Sequence, residues 1–218
     1  MVAEAVSRAP VVVIHGALRS QAGLWPIVWY LRREGFDARA FGYATRTHSL
    51  ERHGERLEQF LADWLGGPVP TLGILTHSMG GLVARSYLAR AAAATQSQTQ
   101  RVVMLAPPNQ GAALAERMKD FRPYRWLYGA AAAELLPTRA ALLPAPPASA
   151  AVLVLAGGRH GSEVGYSRRI PGNNDGLVGV AETALPGITP EFVGGVHSTL
   201  QWRPQVLRRA VRFLGGDG

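Results

Sequence analysis

Thr71-Leu-Gly-Ile-Leu-Thr-His-Ser-Met-Gly-Gly-Leu-Val-Ala-Arg85 is the stretch on which the reading of this chain turns. An apolar run of strand character leads into Thr76-His77-Ser78-Met79-Gly80, and a helix-like run follows with no spacer. A serine in that place sits at a sharp strand-to-helix turn. The glycines behind it let backbone crowd the turn, and the departing helix aims its first N–H groups back at the hydroxyl. The pattern is G-x-S-x-G, a nucleophile elbow, with Thr76 standing in for the first glycine.

Outward from this stretch the chain alternates between two periodicities. Val11–Ile14, Phe36–Tyr43, Thr71–Leu75, Arg101–Ala106, Ala151–Ala156 and Glu191–Val193 read as strands. The first of these is continuously apolar and β-branched, as strands buried on both faces are. Helical spacing appears in Gly23–Glu34, from Ser49 to about Leu65, from Met79 to about Ala93, and from Pro204 onward. Ser49 can cap the second of these helices, and Gly66-Gly67-Pro68 ends it. Strands alternating with helices predict an α/β protein with a mostly parallel sheet of about six strands and helices on both faces. In such sheets the reactive groups gather beyond the carboxyl ends of the strands. His15, Ser78, Asn109, Asp175 and His197 all fall there, scattered in sequence but expected at one edge.

The bulk numbers narrow the classes. A chain of 218 residues that is 47% hydrophobic suits one domain, residues 1–218, with a substantial core. There is no cysteine, so disulfides and thiolate metal sites are excluded. His48 and His53 are not spaced as a helical zinc pair, no phosphate loop or dinucleotide fingerprint occurs, and neither a metal nor a cofactor is expected. Residues 1–10 hold no long apolar core of a signal peptide, which gives the expectation of a cytoplasmic protein or of one whose leader has been removed. The net charge of +8 comes almost wholly from arginine, spread singly or in pairs. With no basic block, nucleic acid is not an expected partner, and an anionic membrane surface is kept as a peripheral contact.

His15-Gly16, the elbow Thr76-His77-Ser78-Met79-Gly80-Gly81, Pro107-Pro108-Asn109-Gln110-Gly111, Asn174-Asp175-Gly176 and Val196-His197-Ser198 occur in that order. On these motifs the chain resembles the α/β-hydrolase family, in particular its small bacterial lipase- and esterase-like members, over roughly residues 10–215. The resemblance implies a minimal version of that fold with strand order 2-1-3-4-5-6. It implies Ser78 as nucleophile, His197 as general base and Asp175 as the acid that orients it, with the backbone N–H groups of Met79 and Ala17 forming an oxyanion hole. His160 is the rival base, although it would reverse the family order. Glu163 is the fallback acid and Glu182 a weaker one.

Residues 112–147 are Ala-rich and punctuated by proline, and they fall where the family inserts a cap or lid. Phe121, Tyr124, Trp126, Leu127 and Tyr128 are the substrate-binding candidates there. They would line an acyl pocket, meet a lipid surface beside Arg122 and Arg125, or simply cover the sheet. The expected activity is hydrolysis of small-molecule or lipid carboxylic esters with apolar acyl chains, through an acyl-enzyme. A thioesterase or acyltransferase with the same triad, or a non-catalytic binding protein on the same scaffold, are the rival readings.

Overall fold

The computed structural model describes residues 9–93 and 99–217. Six strands form one sheet, all paired in parallel: β1 (Pro10–Ile14), β2 (Asp37–Phe41), β3 (Thr71–His77), β4 (Thr99–Leu105), β5 (Ala150–Ala156) and β6 (Glu191–Phe192). Their order across the sheet is 2-1-3-4-5-6, as the resemblance implied. Helices α1 (Trp25–Arg33), α2 (Leu50–Leu65), α3 (Gly80–Ala93) and, after β6, the last helix (Pro204–Gly215) provide the layers on either face.

The central strands alternate side chains between two cores. Val11, Val13, Leu75 and Val103 pack with Ile27 and Leu31 of α1 and with Val206, Ala210 and Leu214 of the last helix. Val12, Ile14, Ile74, Val102 and Met104 pack on the other face with Leu57 and Leu61 of α2 and with Leu82, Val83 and Leu88 of α3. Because both faces are covered, β1 and β3 carry almost unbroken apolar runs, as expected of buried parallel strands. The ends of α2 also follow the sequence: the Ser49 side chain accepts from Arg52 N–H at 3.3 Å, and Gly66 closes the helix in the left-handed conformation at φ 66°.

Boundaries differ from expectation by one or two residues, and two shifts have clear causes. β3 runs on through Thr76 to His77, because both still pair with β4. β2 is shorter than Phe36–Tyr43: Phe36 sits in the turn after α1, and Tyr43, beyond the strand, is drawn under the His15 ring. Among the described residues no helix is long and apolar enough to cross a membrane.

Residues 112–147 form four short helices, α4 (Ala113–Met118), α5 (Arg122–Tyr128), α6 (Ala130–Glu134) and α7 (Pro137–Ala140); the last helix of the chain is then α8. This segment is fastened down by polar groups. Ala130 N–H donates to Arg46 O at 2.9 Å, and Glu134 Oε2 accepts from Leu50 N–H at 3.2 Å, which caps α2 from outside. The chief fastening is Arg85 on α3, which is 4% exposed. Its guanidinium donates to the carbonyls of Asn109 (2.8 Å) and Pro144 (3.2 Å), and to those of Ala140 and Leu143. Burial lowers its pKa to about 10, so it remains cationic at neutral pH and is solvated by four peptide dipoles.

Removing that charge leaves the buried carbonyls without donors. Arg85→Met is expected to lower stability by about 2–4 kcal/mol, read as a lower urea midpoint, together with earlier proteolytic cleavage between residues 137 and 149. An unchanged midpoint would show that the 112–147 segment does not depend on this arginine.

Candidate active site

The elbow is built as a strained turn. Ser78 has φ 54°, a left-handed conformation that costs a non-glycine residue about 1 kcal/mol or more. Its N–H donates to Leu105 O at 2.8 Å, so sheet pairing extends one residue past β3, and Gly81 N–H donates to Ser78 O at 2.9 Å as α3 starts. A Cβ on Gly80 would lie 2.8 Å from the carbonyl oxygens of both Ile14 and His15, so only glycine lets α3 leave this close to β1. Thr76 fits where glycine was expected: it is 1% exposed, and its hydroxyl donates to Val103 O at 3.4 Å.

Asp175 and His197 meet beside this turn. His197 Nδ1 lies 2.7 Å from Asp175 Oδ2, and since the carboxylate accepts, Nδ1 carries the hydrogen and Nε2 is left as the basic nitrogen. Asp175 Oδ1 accepts from the N–H groups of Val178 (2.8 Å) and Leu177 (3.0 Å), and Asp175 O accepts from His197 N–H at 3.0 Å. Both residues are buried, at 1% and 5% exposure. Among the described residues Ser78 Oγ makes no hydrogen bond with His197; the ring of His77, the residue before the serine, lies 4.7 Å from that of His197.

The rivals are placed elsewhere. His160 packs edge-on against Phe192 at 5.0 Å. Glu163 stands on an exposed stretch of loop. Glu182 is committed to the N–H groups of Gly179 and Ala113, both at 2.8 Å. The turn that presents Asp175 is organised by its neighbour Asn174, which is fully buried. Its Oδ1 accepts from Ser167 and Gly176 N–H, and its Nδ2 donates to the carbonyls of Ser167, Ile170 and Gly172.

On the near side, the turn after β1 comes against the serine. A Cβ on Gly16 would lie 2.9 Å from Ser78 Cβ, so this glycine is required by space. His15 fixes the turn. Its Nε2 accepts from Tyr43 N–H at 3.3 Å, its Nδ1–H donates to Gly16 O at 2.9 Å, and Tyr43 OH donates to His15 O at 2.7 Å. Burial lowers the His15 pKa, in keeping with this neutral tautomer. Around the serine, Leu18 N–H goes to Thr45 Oγ1, Arg19 N–H to Gly16 O and Ser78 N–H to Leu105 O. Among the described residues the N–H groups of Ala17 and Met79 donate to no protein acceptor, while the Met79 side chain lies fully in the core.

The aromatic cluster of the 112–147 segment divides in two. Tyr124 and Tyr128 stack at 4.5 Å and pack against the core that contains Met79. Phe121, Trp126 and Leu127 face solvent, with Trp126 75% exposed, and the Arg46 guanidinium lies 5.7 Å from the Trp126 ring. Among the described residues no group of three or more His, Asp or Glu side chains is placed to hold a metal ion. His77, Arg85, Asn174 and Tyr43 are the residues that sequence reasoning missed as builders of this site. His77 and Asn174, each next to a candidate residue within its motif, carried a signal of position; Arg85 and Tyr43 carried none.

A family model described as a domain of unknown function, DUF7379, matches residues 14–152, well over half the chain. The chain belongs to this family. No curated protein matches the sequence. Among solved structures this DUF7379 member is similar to the mature lipase BlEst2 of Bacillus licheniformis, with a TM-score of 0.69 and 19% identity over 90% of this chain and 87% of that one. It is similar to the metagenomic carboxyl esterase MGS0156, with a TM-score of 0.72 and 17% identity over 97% and 75%. It is also similar to the type II thioesterase YbtT, with a TM-score of 0.59 and 13% identity over 98% and 95%. At these identities the likeness is one of fold, and the fold is that of the α/β-hydrolases.

Two buried histidines set an acid limit on stability. Burial, then the positive field of His197, pushes His77 down to about 3; burial, then His48, Arg56 and His15, pushes His53 down to about 4. Unfolding restores both toward 6.5, so between pH 6.5 and 4 the unfolded state binds more protons and stability falls as pH falls. The loss for the pair is on the order of a few kcal/mol across that window. Among the described residues neither ring nitrogen of His53 makes a hydrogen bond. His53→Phe should therefore flatten the decline of Tm between pH 6.5 and 4, whereas a slope equal to that of the wild type would remove His53 from the account.

Proposed function

We propose that this protein is a serine carboxylic-ester hydrolase working through an acyl-enzyme. The observation that carries the reading is the buried Asp175–His197 pair set beside a serine held in a left-handed elbow. Ser78 Oγ attacks the ester carbonyl while His197 Nε2 takes its proton. The tetrahedral oxyanion receives the N–H groups of Met79 and Ala17, two donors without a protein acceptor among the described residues. His197 then gives the proton to the departing alkoxide, which leaves as the alcohol. Water, deprotonated by the same nitrogen, attacks the acyl-enzyme and releases the acid. Asp175, holding Nδ1–H and fixed by two backbone donors, keeps the imidazole in the tautomer this needs.

The favoured substrates carry an apolar acyl chain, and we propose that they are reached at an anionic lipid surface. The support is α5, which buries none of its residues, rests on the Tyr124–Tyr128 pair and shows Trp126, Leu127, Arg122 and Arg125 to solvent. Apolar rings beside guanidinium groups suit the boundary between acyl chains and phosphate headgroups.

Ser78→Ala should lower turnover of p-nitrophenyl butyrate by on the order of 10⁴–10⁶ with the fold intact. Asp175→Asn should cost on the order of 10⁴ through the wrong tautomer. Near-normal turnover in Ser78→Ala ends the hydrolase reading, and a larger loss in Glu163→Gln than in Asp175→Asn moves the acid. In sedimentation with phosphatidylglycerol vesicles, replacing Arg122 and Arg125 together by Gln should weaken binding by about tenfold. Equal binding to phosphatidylcholine vesicles, or to RNA in their place, would contradict the lipid-surface proposal.

A further inference from the structure

His77, the last residue of β3, is a histidine that the mechanism above does not use. Its ring is 3% exposed, and its Nε2 lies 3.0 Å from the backbone carbonyl oxygen of His197. A carbonyl only accepts, so Nε2 carries the hydrogen and Nδ1 is a bare lone pair. That Nδ1 is buried and has no partner among the described residues. A second, charged N–H there would be stranded, which agrees with the pKa of about 3, so the ring is neutral at any working pH.

The use of this bond follows from how the other groups are tied. His197 N–H and Nδ1–H both go to Asp175, which binds base and acid to each other. The loop before His197 is tied to the end of β5 through the reciprocal pair Gly158–Gly195. Neither tie reaches the strand that carries Ser78. The bond from His77 to His197 O does, and it starts one residue from the nucleophile. Every polar atom of His197 except Nε2 is then committed. The far side of the His77 ring meets the first turn, since a Cβ on Gly16 would come 3.2 Å from His77 Nδ1.

We propose that His77 is a positioning residue that locks the catalytic base to the strand end bearing the nucleophile, by donating Nε2–H to the carbonyl of His197. The proposal rests on the hydrolase reading and adds to it a distance constraint between Ser78 and His197 that the triad itself does not supply. A displaced base acts on the chemical step, because near-attack geometry is lost while the substrate pocket stays as it was.

The test compares His77→Gln, whose amide nitrogen is as many bonds from Cα as Nε2, with His77→Asn and His77→Phe, which cannot place a donor there. Each is assayed for kcat and KM on p-nitrophenyl butyrate and for the rate of Ser78 modification by a fluorophosphonate, with Tm as control. Asn and Phe should lose about 10²-fold in kcat and in labelling rate with KM moved by no more than about twofold, and Gln should regain most of the loss. Equal rates in all three variants, whether fast or slow, overturn the proposal, since the donor then makes no difference. Nitrogen-15 NMR of the wild type gives a reading free of folding defects: His77 should be protonated on Nε2 at pH 7, and protonation on Nδ1 overturns the proposal as well. A wild type inert to both the ester and the fluorophosphonate would instead sink the hydrolase reading beneath it.

Discussion

The left-handed backbone at Ser78 is the constraint on which the rest of the structure depends. A strand that turned there in an ordinary conformation would bury the serine or send the next helix away from the sheet. With φ at 54° the serine stays half-buried in the turn, and α3 starts at Gly80 hard against the end of β1. This geometry requires glycine at position 80, where side-chain space is taken by the carbonyl oxygens of Ile14, the last residue of β1, and His15 after it, and at position 16, where it is taken by the serine itself. Positive φ at Leu18 and Ala106 places two further non-glycine residues in the same conformation, just after β1 and β4. Backbone strain thus collects at the carboxyl edge of the central strands, where a site is expected in a parallel sheet.

A second theme is that buried polar side chains here are solvated chiefly by backbone. Arg85 faces four carbonyls, Asn174 makes five bonds to main-chain atoms, and Asp175 accepts two N–H groups besides the imidazole. Each such group costs several kcal/mol to bury unpaired, and pairing it with loop backbone gives otherwise irregular segments a single conformation. The loops from 157 to 197 and the cap hold their shape in this way, which a small chain with no disulfide cannot obtain from cross-links.

What could be read in the sequence was what local chemistry dictates. β-branched runs gave the strands, Ser49 and Gly66 the limits of α2, and the Ser78, Asp175 and His197 motifs the groups that the fold brings to one edge. What could not be read depends on partners distant in the chain. Arg85 carries no signal of its own in the sequence, because its four acceptors lie in segments with no pattern of their own. His53 sits on a helix that reads as a surface one, and its burial comes from residues outside that helix, the rings of Tyr43 and His48 among them. The division of the cap aromatics was legible in principle: Tyr124 and Tyr128 are four apart and share a helix face, and Trp126 lies between them on the opposite side.

The central claim is that the elbow serine carries the acyl group. The direct measurement is intact-protein mass spectrometry of His197→Ala mixed briefly with p-nitrophenyl butyrate at alkaline pH, followed by peptide mapping. Loss of the base slows both steps, but the good p-nitrophenolate leaving group and the alkaline pH spare acylation more than deacylation, so one butyryl group should accumulate, on the peptide containing Ser78 and on no other. Acylation spread over several nucleophiles, or p-nitrophenol release with no acyl group on Ser78, would contradict the account.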